Sequence, residues 1–367
     1  RRSRNAPAMS ELPIREDLVG QSPYGAPQIN VPIKLNTNEN PFALSEHIAA
    51  DIARAVRDSA TALNRYPDRD AVLLRADLAH FISQESHVEV SAENIWPANG
   101  SNEVMLQLLQ LFGGPGKKLV TFSPTYSMYP DYCRDTFTDF VTVNRRGDFS
   151  IDQDVVQQAL ALKPDIMMLT SPNNPTGTVL DDHIIEYVLE NFSGIVIIDE
   201  AYAEFRPESQ ESAVRFIKTY ERLVVTRTMS KAFSCAGLRL GYAVTSPKVV
   251  SACQLVRLPY HLSALTQVVA STALKHSTEL LSQVQVIREE RDLLSQWLAE
   301  QGLQVAPSGA NFILFGTFAD RHHIWQQLVD RGVLVRETGP AGWLRVSIGT
   351  PVENNAFRSA LLTCDIN

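Results

Sequence analysis

Cysteine is scarce in this chain and poorly spaced for the work cysteine usually does. Only four occur among 367 residues: Cys133, Cys235, Cys253 and Cys364. None belongs to a C-x-x-C pair and no histidines cluster with them at zinc-ligand spacing, so no metal site is indicated. Free thiols in a reducing compartment, and hence a cytoplasmic protein, are the expectation. Positive charge is also short. Lys and Arg number 33 against 41 Asp and Glu, a net charge of −8. That argues against a nucleic-acid partner, which needs clustered basic residues on one face. No apolar run approaches the roughly 18 residues of a membrane span, so no membrane partner is expected either. Internal repeats and low-complexity tracts are missing too. Arg1-Arg-Ser-Arg4 is followed by no apolar segment, so it reads as a cloning remnant or residues upstream of Met9 rather than a targeting leader.

What is present is ordinary in bulk and specific in pattern. At 367 residues with 44% hydrophobic and 20% charged side chains, the chain suits a soluble globular enzyme larger than one small core. Residues 1–43 are rich in Pro, Asn and Gly and read as an extended arm. Helical spacing begins with Ile48, Ile52, Ala55 and Val56, capped by Ser45, and a second helix is expected over 71–83. Short β-branched runs then alternate with helical windows. The runs are Lys118-Leu-Val-Thr-Phe122, Phe140-Val-Thr-Val143, Asp165-Ile-Met-Met-Leu-Thr170, Gly194-Ile-Val-Ile-Ile198 and Arg222-Leu-Val-Val-Thr226. Such runs fit strands of a parallel sheet covered on both faces, and the alternation is that of an open α/β sheet. Helical windows lie at 101–112 and 181–191. After Pro259 one long helical block is expected over 265–300, with Glu289-Glu-Arg-Asp292 on its solvated side. Two strand-like pieces, Asn311-Phe-Ile-Leu-Phe315 and Trp343-Leu-Arg-Val-Ser347, follow around a helix near 323–331, as in a smaller α+β domain. The domains are therefore expected at 1–43 (arm), 44–262 (large α/β) and 263–367 (small α+β).

Three segments carry chemistry: Ser171-Pro-Asn-Asn-Pro-Thr-Gly177, Ile195-Val-Ile-Ile-Asp-Glu-Ala-Tyr202 and Arg227-Thr-Met-Ser-Lys-Ala-Phe-Ser-Cys-Ala-Gly-Leu-Arg-Leu-Gly-Tyr242. Asn174, Asp199 and Lys231 each stand at or just past the carboxyl end of an expected strand, where open α/β sheets gather ligands. A lysine amine that can form a Schiff base, an aspartate for a pyridinium nitrogen and an asparagine in a turn are the parts that hold pyridoxal phosphate. Asn99-Gly-Ser-Asn-Glu-Val104 precedes a helical window, so Gly100, Ser101 and Asn102 offer amides and polar side chains to a phosphate. Thr228, Ser230 and Arg239 complete that cup. A plain N-cap by Ser101 is the simpler alternative for this segment. Asp199-Glu200 could instead be a nucleotidase's acidic pair, but Gly113-Gly-Pro-Gly-Lys117 lacks the phosphate-loop spacing such an enzyme needs.

Together with Lys34-Leu-Asn-Thr-Asn-Glu-Asn-Pro41, Asn64-Arg-Tyr-Pro-Asp68, Ser123-Pro-Thr-Tyr-Ser-Met-Tyr129, Ala310-Asn-Phe312 and Leu344-Arg-Val-Ser-Ile-Gly-Thr350, these segments resemble the fold-type-I pyridoxal-phosphate aminotransferases, and within them the histidinol-phosphate branch. The resemblance implies a mostly parallel seven-stranded sheet sandwiched by helices beside the smaller α+β domain. It implies that Lys231 is the Schiff-base lysine, that Asp199 pairs with the ring nitrogen, that Tyr202 and Asn174 reach the ring oxygen, and that Tyr126 stacks on the ring. It implies that Tyr66 crosses a homodimer interface to the neighbouring subunit's cofactor phosphate. Substrate contacts fall, on the same footing, to Tyr24, Asn38, Asn102, Tyr126, Asn174, Tyr260, Arg336 and Arg345. Arg345 has the planar fork that grips a carboxylate or a phosphate. His261 could line the cleft, while His322 and His323 should face solvent.

The implied reaction is transamination between L-histidinol phosphate and 2-oxoglutarate, giving imidazole-acetol phosphate and L-glutamate in histidine biosynthesis. An aromatic amino acid aminotransferase, a threonine-phosphate decarboxylase and a non-catalytic amino-acid sensor are the alternatives. The first would want an apolar pocket in place of the tyrosine and asparagine donors. The last would usually carry a DNA-binding helical module, for which the arm is too short and irregular.

Overall fold

The computed structural model describes residues 12–366. The reading of Arg1 to Arg4, and part of the arm, lie outside the described residues. The elements run β1 (Ile33–Lys34), α1 (Glu46–Ala60), α2 (Val72–Ser86), β2 (Ile95–Ala98), α3 (Gly100–Phe112), β3 (Lys118–Ser123), α4 (Tyr129–Asp135) and β4 (Asp139–Asn144). Next come α5 (Gln153–Ala161), β5 (Ile166–Thr170), α6 (Asp182–Asn191), β6 (Ile195–Asp199), β7 (Leu223–Thr228), β8 (Gly241–Thr245) and α7 (Pro247–Cys253). The chain closes with α8 (Ala264–Lys275), α9 (Ser277–Glu300), β9 (Gln304–Val305), β10 (Phe312–Gly316), α10 (Arg321–Asp330), β11 (Val333–Leu334), β12 (Arg336–Glu337), β13 (Leu344–Ser347) and α11 (Pro351–Leu362).

Seven strands form the large sheet in the order β2-β8-β7-β6-β5-β3-β4. The five from β7 to β4 are parallel, and β8 runs antiparallel to both β7 and β2. Every residue of β5 and β7 is buried, because helices cover both faces of the sheet. The sequence pattern finds the five parallel strands and overlooks β2 and β8. Pro97 disguises β2, which tolerates it because an edge strand can spare an N–H.

A second sheet, antiparallel in the order β12-β13-β10-β9, packs under α9 and α10. The arm is tied to this part of the chain by β1, which pairs in parallel with β11. Ser45 caps α1 as its sequence predicts, its Oγ accepting from the Ile48 amide at 3.4 Å. The long helical block expected over 265–300 is two helices. It breaks at His276, where α8, packed on α1 and α2, gives way to α9, packed against β9 and β10. Nor does all of Glu289-Glu-Arg-Asp292 face solvent. Arg291 is buried on the same stripe as Leu280, Val284, Ile287, Leu294 and Leu298. Its Nη1 donates to the carbonyls of Phe205 and Ala310, so the guanidinium is satisfied inside. Among the described residues no helix is long and apolar enough to cross a membrane.

Candidate active site

In the large sheet β5 lies on one side of β3 and β4 on the other, so the strand order reverses there and leaves a crevice at the carboxyl ends. A cleft of about 980 Å³, counted to its open mouth, lies there and is closed from above by the second sheet and the arm. Its walls carry Tyr24, Asn38, Ser101, Asn102, Tyr126, Asn174, Asp199, Tyr202, Thr228, Ser230, Lys231, Arg239, Arg336 and Arg345. Residues scattered over most of the chain thus meet at one place. The volume is ample for a cofactor and a small substrate.

Alternation along strands decides which groups face the cleft. On β7, Thr226 and Thr228 point toward it, and Arg227 points to the opposite face. Arg227 is fully buried there against Glu200, Glu204 and Glu85, with N···O distances of 2.8, 3.1 and 3.2 Å. Asp199 and Glu200 divide in the same way. Glu200 is held by Arg227, the Ser212 hydroxyl and the Ala213 amide, so it is structural rather than one half of an acidic catalytic pair. Asp199 stays in the cleft, where it accepts from the Tyr129 hydroxyl at 2.7 Å, and from the Thr226 hydroxyl and Ala201 amide at 3.2 Å each. Burial raises its pKa, and the three donors oppose that rise only in part. No cationic side chain among the described residues pairs with it. A buried carboxylate placed this way calls for a cation from a ligand, which a protonated pyridine nitrogen supplies.

Lys231 reaches the same floor from beyond β7, its Nζ donating to the Thr37 carbonyl at 3.1 Å. Burial, reinforced by Arg345, brings its pKa down to about 8. A far larger share of the amine than in an ordinary lysine is then neutral near physiological pH and available as a nucleophile. Tyr202 holds the opposite wall, its hydroxyl accepting from Asn38 Nδ2 at 3.0 Å. Tyr126 stands edge-on to Tyr129 with centroids 5.5 Å apart, and its ring is left to face the cleft.

The anion cup is built from two close backbone approaches. Gly100 opens α3 at φ +81°, a conformation L side chains rarely adopt, and a Cβ there would lie 2.7 Å from Arg239 Nη2. Gly241 on β8 lets the helix start sit directly on the sheet, since its Cβ would be 2.2 Å from the Ser101 amide. Ser101 is therefore inside the first turn rather than at the N-cap, which is Asn99. The Asn99 side chain does not cap, because it turns to Glu103 and to the His261 carbonyl. The positive end of α3 faces the cup beside Thr228, Ser230 and Arg239. Thr228 Oγ1 donates to Ser230 Oγ at 3.0 Å, and Arg239 Nη1 to the same oxygen at 3.4 Å. Helix amides, hydroxyls and a guanidinium make a site for a phosphate dianion. The uncompensated Asp199 carboxylate, the Lys231 amine with its lowered pKa and this cup together fit pyridoxal phosphate.

Above the cofactor space, Arg345 on β13 is buried, with Nη1 on Asn174 Oδ1 at 2.5 Å and Nη2 on the Asn36 carbonyl at 2.8 Å. Its Nε, also buried, has no partner. Burial, with Arg336 acting in the same direction, lowers its pKa to about 10. Those two arginines are register partners on β12 and β13, and both line the cleft. Like charges set opposite each other in a sheet repel, and an anion between them removes the cost.

Three expected residues lie elsewhere. His261 is outside the cleft lining. It stacks on Trp96 at 5.6 Å, and its Nε2 is 3.0 Å from the Pro97 carbonyl. Tyr66 and Tyr260 stack on each other at 4.3 Å and 12° on the outer surface, 79% and 40% exposed. Neither enters the cleft of its own chain. Sequence reasoning missed Thr37, Thr226 and, as a partner of Asp199, Tyr129. Thr226 could have been found by counting alternate residues back from Thr228. Tyr129 depends on the turn of the chain after β3, which no spacing shows.

The chain matches the family described as aminotransferase class I and II over residues 30–361. It is 53% identical to histidinol-phosphate aminotransferase 3 of Burkholderia lata over 358 residues, covering 97% of each chain. It is 52% identical to histidinol-phosphate aminotransferase of Thermobifida fusca over 357 residues, covering 97% of this chain and 96% of that one. Among solved structures, histidinol-phosphate aminotransferase from Sinorhizobium meliloti in complex with pyridoxal-5'-phosphate superposes with a TM-score of 0.85. That pair shares 22% identity, with 96% of this chain and 98% of that chain covered, so this likeness speaks to the fold.

Proposed function

The chain belongs to the class I and II aminotransferases, and from that premise we propose that it moves the amino group between L-histidinol phosphate and 2-oxoglutarate, yielding imidazole-acetol phosphate and L-glutamate in histidine biosynthesis. It is a pyridoxal-phosphate enzyme. The observation that carries the choice of substrate is the pair Arg336 and Arg345, opposed in register at the cleft, neither of them in an ion pair with a carboxylate among the described residues. One partner substrate presents a phosphomonoester and the other a carboxylate. A guanidinium fork binds either, which lets one site serve both halves of the reaction. The relatives at 53% and 52% identity carry the same activity in their names.

Bound pyridoxal phosphate supplies an electrophilic carbon for the substrate amine and a ring that accepts the electrons released at Cα. The chain's own residues do the rest. Lys231 would hold the cofactor, and its Nζ, with its pKa lowered by burial, would take up and give back the proton at the substrate Cα. Asp199 would be kept ionised by the cofactor's protonated ring nitrogen and would in turn hold the proton there. Tyr129 and Thr226 fix the carboxylate in place by donating to it. The cup at the start of α3, with Thr228, Ser230 and Arg239, anchors the phosphate so that the ring does not wander. Tyr126 covers the ring face and keeps water from it. Asn102, whose Oδ1 accepts from the Tyr132 hydroxyl at 2.8 Å, has its amide N–H groups left to donate. With Tyr24 it forms the polar end of the substrate space. Tyr66 serves the neighbouring subunit's cup in a cytoplasmic homodimer.

A single-turnover experiment tests the substrate. The cofactor-loaded enzyme is mixed in turn with histidinol phosphate, phenylalanine and threonine phosphate, and decay of the cofactor's visible band is followed. Fastest decay with histidinol phosphate is expected. Faster decay with phenylalanine overturns the reading in favour of an aromatic aminotransferase.

A further inference from the structure

Away from the cleft, the fold brings two histidines and an aspartate to one point that no spacing in the sequence announces. His47 and Asp51 are one turn apart on α1 and so share a face. His276 is the residue at which α8 ends and α9 begins. Its Nε2 lies 3.0 Å from Asp51 Oδ2, across 225 residues of chain. His47 Nε2 lies 4.0 Å from the same oxygen, and the two imidazoles stand edge to face with centroids 5.2 Å apart. One ligand atom from each of the three residues falls within 4.8 Å of the others. Among the described residues this is the one such group of three metal-ligating side chains.

The geometry points to a binding site for a divalent transition-metal ion of the zinc class, held by His47, Asp51 and His276. Two neutral imidazoles and one carboxylate suit zinc, cobalt and nickel, and three protein ligands leave a fourth position to water. Ligand bonds near 2.1 Å in a tetrahedron set ligand atoms roughly 3.4 Å apart. The carboxylate and the His276 ring need only a small opening to reach that spacing. The His47 side chain, 68% exposed, is free to swing inward. The carboxylate is already aimed. Arg54 Nη2 holds Oδ1 at 3.1 Å, which leaves Oδ2 facing both rings, the kind of outer contact that orients a ligand. An ion here ties α1 to the junction where the chain passes from the helices on the large sheet to the helix on the small one. Because the three ligands are far apart in the unfolded chain, binding stabilises the native state. The inference is independent of the aminotransferase reading.

The test uses the cofactor-loaded enzyme, stripped with a chelator and titrated with Co²⁺. Visible d–d absorption saturating at one ion per chain, and displaced by Zn²⁺, is expected. His47→Ala and His276→Gln should each weaken Co²⁺ by at least ~10-fold. His47 is exposed, so its variant folds whatever becomes of the other, and a retained cofactor band verifies that. No saturable signal in the unaltered enzyme, or variants that bind Co²⁺ as tightly as the unaltered enzyme, overturns the assignment and leaves a hydrogen-bonded staple between Asp51 and His276.

Discussion

Arg345 Nη1 lies 2.5 Å from Asn174 Oδ1, a contact between a strand of the small sheet and the turn after β5, 171 residues away. The guanidinium is thus clamped to the turn that shares the cleft wall with it, so in the proposed reaction anion and ring are positioned by one piece of structure. Arg345→Lys keeps the charge but loses the fork, and a charge-assisted hydrogen bond is worth about 1.5–3 kcal/mol. KM for glutamate should rise by roughly 10- to 100-fold, with kcat changed much less. A variant whose KM is unaltered while kcat collapses would place Arg345 with the cofactor rather than the substrate.

Lys231 ties pH to stability once the cofactor is removed. Its native pKa, about 8, is below the ordinary value of 10.5, so between those limits the unfolded chain binds more protons. Stability therefore rises with pH across that window, and below about 8 the buried amine opposes folding in full. The penalty is at most about 3 kcal/mol. Urea midpoints of cofactor-free protein at both ends of the window should show the rise, and Lys231→Met should flatten it. Equal slopes in the two proteins would mean the amine is not depressed. Cofactor capture by the unaltered protein should quicken through the same pH, since only the neutral amine attacks.

The exposed Tyr66–Tyr260 stack bears on the proposed dimer. Tyr66→Phe should loosen cofactor retention, and Lys231→Ala should abolish turnover. If Tyr66 serves its neighbour's cup, a mixed dimer of the two variants holds one intact site. Turnover should then return to about half of the unaltered dimer by site count. A mixed dimer whose remaining site retains cofactor no better than Tyr66→Phe alone would leave Tyr66 to its own chain's surface.

Arg227 bridges three carboxylates in a largely buried cluster that Arg206 also joins. Arg227→Met fills the space but strands Glu204 and leaves Glu200 and Glu85 to Arg206 alone, and breaking such a network costs about 3–5 kcal/mol. Thermal unfolding should fall accordingly. Adding Glu200→Gln should recover part of the loss, because one fewer buried charge is left under-compensated. A double variant no better than the single one would locate the cost in packing.

Lys231, Asp199 and Asn174 were legible in the chain because each follows an apolar run, and a run of about five such residues marks its own end. The cup could be read for the same reason: Gly100, Thr228 and Ser230 are local to a helix start or a strand end. The five parallel strands show themselves through burial on both faces. β2 and β8 do not, being short and, in β2, carrying Pro97. His276 ends a helix that periodicity alone runs straight through.

Composition, local periodicity and the ends of strands were determined by the sequence itself, since they depend on neighbours along the chain. The register that sets Arg336 against Arg345, the burial of Arg227 and Arg291, and the meeting of His47 and Asp51 with His276 were decided only by tertiary structure. Each depends on contacts between segments far apart in the chain, whose closure the hydrophobic core drives and no short stretch encodes.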